Sequence, residues 1–191
     1  MVPVGLCQIL SNSDMIRSDL SGNCLRNHRP GLFSEAKINR FWIRRQALKA
    51  HNEYRTKHCA PPLTLSRRLN GIAQKYAEHL ASTKTFEHSH TKGLGENLWM
   101  LTSSEKIKHV KGSAATKDWY DEVQHYNFGQ PGFSHATGHF TQLVWNSSKK
   151  MGLGVALSSD KKSVYVVANY EPAGNTVNAG YFEKNVLEAK C

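Results

Sequence analysis

The sequence contains few cysteines, and their positions leave most of the chain without any. The four are Cys7, Cys24, Cys59 and Cys191, so residues 60–190 contain none. No pair has the short spacing of a metal-binding or redox motif such as C-x-x-C. A secreted domain of this size that depended on disulfides would normally carry cysteines within its central elements. The spacing therefore predicts a protein kept in a reducing compartment.

Long apolar runs and acidic residues are also scarce. No segment approaches the roughly 20 apolar residues that a membrane-spanning helix needs. The chain contains 15 Asp and Glu residues and 25 Lys and Arg residues, which gives a formal net charge of +10. This excess favours acidic partners such as anionic lipid headgroups. No basic stripe interleaved with aromatics and no nucleic-acid-binding motif occurs, so nucleic acid is not an expected partner.

Two common hydrolase signatures are missing as well. The chain has neither the H-E-x-x-H pattern of zinc peptidases nor the G-x-S-x-G turn of serine hydrolases. Hydrolases built on either pattern are therefore excluded. An apolar content of 39%, with four Trp and seven each of Tyr and Phe, is typical of a globular domain.

The chain divides by composition into one domain and two ends. Residues 1–39 mix Ser, Asn, Gly, Pro and Arg without a helical or strand period, and they predict a flexible N-terminal extension. Residues 40–188 contain the regular patterns and predict the folded domain. Residues 189–191 are predicted to form a short tail.

Hydrophobic periodicity predicts three amphipathic helices, a short fourth helix and three strands in this domain. Ser66 is a suitable N-cap for the second helix, whose apolar residues recur at helical spacing. The glycines at 152 and 154 should let another backbone approach their strand closely. The predicted helices cover residues 38–57, 67–81, 113–126 and 139–145, and the predicted strands cover 98–101, 151–157 and 163–170.

An imidazole and two small polar side chains interrupt the otherwise apolar segment 138–145. His139 is the histidine of this segment. If it is buried, each of its ring nitrogens must be occupied by a hydrogen bond, a proton or a metal. Three more titratable groups, His88, Glu96 and Glu122, also lie among residues that belong in a core. These two histidines and two glutamates are predicted to converge on one cleft.

Another group of polar residues, His51, Asn52 and Arg55, lies on the first predicted helix. His51 and Arg55 are one turn apart, on the face that carries its apolar residues. A catalytic role is one interpretation of this group. Buried polar groups that bond to backbone or to a neighbouring element are the better explanation of His51 and Asn52.

Four motifs occur in the order typical of the CAP superfamily, which includes cysteine-rich secretory proteins, insect antigen 5 and plant pathogenesis-related proteins. They are His51-Asn52-x-x-Arg55, Gly95-Glu96-Asn97-Leu98, Gly138-His139-Phe140-Thr141-Gln142-Leu143-Val144-Trp145 and Asn169-Tyr170-x-Pro172-x-Gly174-Asn175. The chain resembles this superfamily over about residues 40–188, with Asn97 and Tyr170 among the structural residues. Where the last motif normally begins with a disulfide-forming cysteine, this chain has Ala168, which resembles the intracellular, Golgi-associated branch.

The resemblance implies an α+β fold, a three-layer α-β-α sandwich with a small, mainly antiparallel sheet. It also implies that four residues form the family's cleft tetrad: His88, Glu96, Glu122 and His139. The two histidines would hold a divalent metal such as zinc weakly, while the glutamates orient them. A water-filled cluster of hydrogen-bonded polar groups explains the same residues without a metal.

The resemblance further implies several functions. Family members include lipid and sterol binders, so an anionic membrane is the expected partner, with a sterol or fatty acid as a further ligand and a homodimer as the expected assembly. The expected location is the cytosolic face of the Golgi membrane, and the alternative is a secreted lipid binder or defence-related factor. A weak hydrolase is another hypothesis, using a metal-bound water or Thr102, six residues after Glu96, as nucleophile.

Overall fold

The computed structural model describes residues 38–191 with their side chains, together with two short strands nearer the N-terminus. These strands, β1 (Arg17–Ser18) and β2 (Cys24–Leu25), pair antiparallel with each other. The chain separates into two compact units, residues 1–35 and 36–191. Apart from these strands and its last two residues, the extension predicted at the N-terminus lies outside the described residues.

Two long helices open the larger unit. α1 (Arg40–Lys57) begins after Asn39, whose side-chain oxygen accepts a backbone N–H of the first turn. α2 (Arg67–Thr83) begins after Ser66, whose hydroxyl accepts a backbone N–H in the same way and confirms the predicted N-cap. Each helix buries the stripe of residues that recurs at helical spacing and leaves its opposite face to solvent.

A sheet of four strands lies at the centre, in the order β3-β5-β6-β4. β3 (Thr64–Leu65) runs parallel to β5 (Lys150–Leu157). β6 (Ser163–Glu171) is antiparallel to both β5 and β4 (Gly95–Thr102). The predicted hairpin of the last two strands and the mainly antiparallel character of the sheet are therefore confirmed.

Three shorter helices complete the domain. α3 (Gly112–Asp121) continues into a 3₁₀ turn (Glu122–His125), so Glu122 lies just past the helix that was predicted to carry it. α4 (Gly138–Val144) confirms the predicted short helix, and α5 (Tyr181–Asn185) lies near the C-terminus. No helix in the described part of the chain has the length and apolar character needed to cross a bilayer.

Helices cover both faces of the sheet. Along β6, Val164 and Val166 are buried in a cluster with residues of α1, α3 and α4, whereas Tyr165 and Val167 are buried with residues of α2. This alternation is that of a strand with both faces covered. The domain is therefore an α+β fold, the three-layer α-β-α sandwich that was expected.

α2 packs closely against β5 because two glycines remove side chains from the strand. A Cβ atom at Gly152 would overlap the backbone carbonyl carbon of Leu69, and one at Gly154 would overlap the carbonyl group of Ala73. A larger residue at either position would push the helix away from the sheet. The predicted close approach of another backbone is confirmed.

The structure contains a disulfide that the cysteine spacing did not predict. Cys59, just past α1, is bonded to Cys191, with 5.5 Å between their Cα atoms. The backbone N–H groups of the last two residues also donate to the carbonyl of Lys57, so the segment predicted as a tail is attached to the end of α1. The cysteine spacing does not indicate this bond, because it joins two residues 132 apart in sequence, outside the central elements. A disulfide is typical of oxidising compartments, so this bond weighs against the reducing compartment that the cysteine spacing predicts.

Candidate functional site

Two of the four predicted cleft residues, His88 and Glu96, form a first pair in direct contact. The ring Nδ1 of His88 lies 2.9 Å from Oε1 of Glu96. Because an ionised carboxylate can only accept, Nδ1 carries the proton, and Nε2 of the neutral ring has the lone pair. Ser89 also donates to this carboxylate, through its backbone N–H at 2.8 Å and its hydroxyl at 2.6 Å. Two consecutive residues therefore supply three donors to Glu96.

These contacts shift the pKa values of both partners. Burial acts to raise the pKa of Glu96, but the hydrogen bonds from His88 and Ser89 outweigh it, so this pKa lies below its ordinary value. The hydrogen bond to Glu96 raises the pKa of His88, against the opposing effect of burial. Imidazolium and carboxylate therefore coexist over a wider pH range than two isolated groups would.

The other two predicted cleft residues, His139 and Glu122, form a second pair at the start of α4. Nδ1 of His139 lies 2.6 Å from Oε1 of Glu122. Oε2 of this carboxylate accepts the backbone N–H groups of His139 and Phe140, at 2.9 and 3.1 Å. Such N–H groups have no partner within their own helix. Glu122 thus orients the ring and also caps the helix that carries it.

Both pairs lie near the start of β4, where Glu96 and Asn97 are consecutive residues. Nδ2 of Asn97 donates to the backbone carbonyl of His139 at 3.0 Å. The structure thus brings each histidine to one glutamate, and Asn97 links the strand of the first pair to the helix of the second.

A hollow of about 230 Å³ lies beside the first pair. Its described lining includes His88, Glu96, Gln142 and Asn175, whereas neither His139 nor Glu122 belongs to that lining. The side chain of Asn175 donates to the carbonyl of Gly138 at 2.8 Å and accepts from the hydroxyl of Thr141 at 2.6 Å. The wall of the hollow is therefore tied to α4, the helix of the second pair.

The two imidazoles of the pairs have the chemistry of metal ligands, although the site offers few ligating side chains. Among residues 38–191, no group of three or more His, Cys, Asp and Glu side chains is arranged to hold a metal ion. Each histidine uses Nδ1 for its glutamate, and neither Nε2 has a protein partner within that range. An imidazole fixed at one nitrogen by a carboxylate is the usual arrangement of a metal-ligating histidine. Nε2 of His88 and of His139 could each serve as a ligand.

A buried chain of hydrogen bonds runs from α1 through the sheet to His139 and helps to position the second pair. Nδ1 of His51 lies 2.8 Å from the carbonyl oxygen of Ala47, and its Nε2 lies 2.8 Å from the hydroxyl of Tyr170. A carbonyl only accepts, so Nδ1 donates and the tyrosine hydroxyl donates to Nε2. That hydroxyl accepts from Asn97 at 3.3 Å. Burial lowers the pKa of His51 to about 4, so this ring is neutral at neutral pH.

The other two motif residues of α1, Arg55 and Asn52, hold neighbouring backbone. The guanidinium of Arg55 is fully buried and donates to four carbonyl groups. These are Pro61 at 2.8 Å, Leu143 and Trp145 at 2.9 Å, and Ser148 at 3.0 Å. Burial lowers the pKa of Arg55 to about 10, which leaves it cationic at neutral pH. The side chain of Asn52 accepts the backbone N–H of Leu63 at 2.8 Å and donates to the carbonyl of Leu63 at 3.1 Å.

Thr102 lies at the other end of β4 from the two pairs. Six residues of extended strand place it about 20 Å from Glu96. Its hydroxyl lies 3.0 Å from Oγ of Ser163. Within the described residues no imidazole or carboxylate contacts this hydroxyl, so the geometry supplies no base to activate it as a nucleophile.

Some residues of the site were not singled out from the sequence. Ser89 donates twice to Glu96, and its only signal was its position next to a candidate histidine. Gln142 is 2% exposed and accepts the backbone N–H of Gly174 at 2.9 Å, which joins α4 to the segment after β6. In the sequence, Gln142 is a polar side chain within an apolar segment. That pattern indicates that the side chain is buried, but it does not indicate which group bonds to it.

Both the fold and the motifs define a CAP-domain protein, and the chain belongs to the CAP (Cysteine-rich secretory protein) family, whose model matches residues 48–170. It is 51% identical over 148 residues to Golgi-associated plant pathogenesis-related protein 1 of Homo sapiens, covering 76% of this chain and 92% of that protein. It is 33% identical over 168 residues to Secreted protein RBT4 of Candida albicans, covering 81% of this chain and 43% of RBT4. The crystal structure of NaASP2 with Zn2+ aligns with a TM-score of 0.60 at 26% identity, over 77% of this chain and 85% of NaASP2.

We expect replacement of Glu96 by glutamine to lower the pKa of His88, because an uncharged amide no longer favours the imidazolium. An NMR titration of the His88 ring protons measures this pKa. Glu87→Gln is the matched control, since it removes the carboxylate next to His88 in sequence, which is not bonded to the ring. The same His88 pKa in Glu96→Gln and in the wild type would show that the pair does not form in solution.

Proposed function

We propose that this CAP-domain protein is a binding protein rather than a hydrolase, and that His88 and His139 bind a divalent metal such as zinc. The observation that supports it most is that a glutamate fixes each imidazole at Nδ1 and leaves Nε2 for a ligand. Two imidazoles make an open site that water must complete, so the affinity should be modest. The relative NaASP2, crystallised with Zn2+, adds support.

Isothermal titration with zinc tests the metal proposal. We expect His88→Ala/His139→Ala to abolish measurable binding, and Glu96→Gln/Glu122→Gln to weaken it about 10- to 100-fold, because the carboxylates orient the rings. Affinity should fall on acidification, since protons compete for Nε2. The matched control is His79→Ala/His109→Ala, which removes two exposed histidines elsewhere. Zinc binding that survives in the first double variant would contradict the assignment and favour the water-filled polar cluster.

The second part of the proposal is association with anionic membranes at the cytosolic face of the Golgi. The net charge of +10 favours a negative surface, and cytosolic leaflets carry the anionic lipids. A relative at 51% identity bears the name Golgi-associated, which supports this location. A sterol or fatty acid and a second copy of the chain remain proposed partners on the family resemblance alone.

Co-sedimentation with vesicles tests the membrane proposal. We expect the protein to pellet with phosphatidylcholine vesicles only when they contain phosphatidylserine, and to be released as salt is raised, because the attraction is electrostatic. Bovine serum albumin, an acidic protein, serves as the control for non-specific pelleting. Equal, salt-insensitive pelleting with neutral and anionic vesicles would contradict an electrostatic association.

A secreted CAP protein that binds lipid or acts in defence is the second candidate, and the disulfide between Cys59 and Cys191 favours it. The relative RBT4 is named a secreted protein. The cytosolic proposal predicts that both cysteines are thiols in the cell. Alkylation of thiols in intact cells, followed by mass spectrometry, measures their state. An intact disulfide after this trapping would favour the secreted candidate over the cytosolic one.

A further inference from the structure

We infer that the first turns of α1 make the contact with an anionic bilayer, through a cluster formed by Phe41, Trp42 and Arg45. This inference rests on the proposed membrane association and names the surface responsible for it. Phe41 is 59% exposed and Trp42 is 56% exposed, and their ring centroids lie 5.3 Å apart. Two adjacent large aromatic rings are thus left in water at one end of the domain's first helix.

A cation lies beside both rings. The guanidinium carbon of Arg45 is 5.6 Å from the ring centroid of Phe41 and 6.0 Å from that of Trp42. Among the described residues Arg45 has no carboxylate partner, whereas the exposed cations Arg40 and Lys49 are each paired with a glutamate. Arg45 is therefore free to bind the phosphate or carboxylate of a lipid headgroup, which a guanidinium does in a bidentate manner.

The charge of this part of α1 selects an anionic partner. Over its whole length α1 contains six cationic residues and one acidic residue, Glu53, which pairs with Lys49. Trp42, Arg45 and Lys49 share one face by their helical spacing, and the residues at 43, 47 and 50 are buried on the other side. An exposed face that combines tryptophan, phenylalanine and arginine is typical of helices that lie at a membrane surface. The aromatic–arginine cluster therefore fits an anionic bilayer.

The fluorescence of Trp42 reports directly on this contact. Trp42 is the most exposed of the four tryptophans, since Trp119 and Trp145 are each 2% exposed and Trp99 is partly buried. We expect the emission to shift to shorter wavelength, and to be quenched by brominated lipids, when vesicles containing phosphatidylserine are added. Trp42→Phe keeps an aromatic ring, so it should remove the fluorescence change and retain most of the binding.

A matched pair of double variants separates this cluster from the overall charge. Trp42→Ala/Arg45→Ala and Tyr181→Ala/Lys184→Ala each remove one exposed aromatic ring and one exposed cation, three residues apart on a helix. We expect the first to weaken partitioning into phosphatidylserine vesicles about tenfold or more, because the arginine alone contributes about fivefold and the ring adds to it. The control should weaken it by less than about fivefold, since it lowers only the net charge.

The possible outcomes separate the aromatic–arginine cluster from membrane association as a whole. Equal losses in the two double variants, with no change in Trp42 emission, would overturn the cluster as the contact while leaving membrane association in place. A wild-type protein that does not bind anionic vesicles would overturn both. Circular dichroism of both variants verifies folding, which should be unchanged because all four side chains are exposed.

Discussion

The guanidinium of Arg55 fixes one end of α4, and the carboxylate of Glu122 fixes the other. Arg55 donates to carbonyls at the end of this helix, and Glu122 accepts two N–H groups at its start. A cation at the C-terminal end and an anion at the N-terminal end both complement the helix dipole. A helix of seven residues is not stable alone in water, so the position of His139 depends on tertiary contacts of α4, these two among them. A carbonyl left without its donor would cost about 1–3 kcal/mol.

Because Arg55 is a buried cation, a second positive charge beside it would be unfavourable. His51, one turn away on α1, avoids that charge: burial lowers its pKa to about 4, and the charge of Arg55 adds to the effect. Its neutral ring bonds to Tyr170, which bonds to Asn97, which holds the backbone carbonyl of His139. One permanent charge and a neutral hydrogen-bonded chain therefore join α1, the sheet and α4 at the candidate site.

The sequence could predict elements, polar positions and a shared cleft, but it could not predict which residue bonds to which across long separations. Periodicity placed the helices and the hairpin, and the glycines of β5 indicated the close packing of α2, because these features depend on local residue types. His139 was recognisable as a polar group in an apolar segment, yet its partner Glu122 lies 17 residues away. The bond between Cys59 and Cys191 spans 132 residues. Such contacts depend on the packing of whole elements, which no local pattern encodes.

α1 contributes to both parts of the proposed function through different faces. Its inward side chains, His51 and Arg55, form the bonds that position α4, and they are fully buried. Its outward side chains, Trp42 and Arg45 among them, take part in none of those bonds. A bilayer that contacted the outward face would therefore leave the buried network unchanged. The proposed metal binding and the proposed membrane association would thus vary independently, even though one helix supports both.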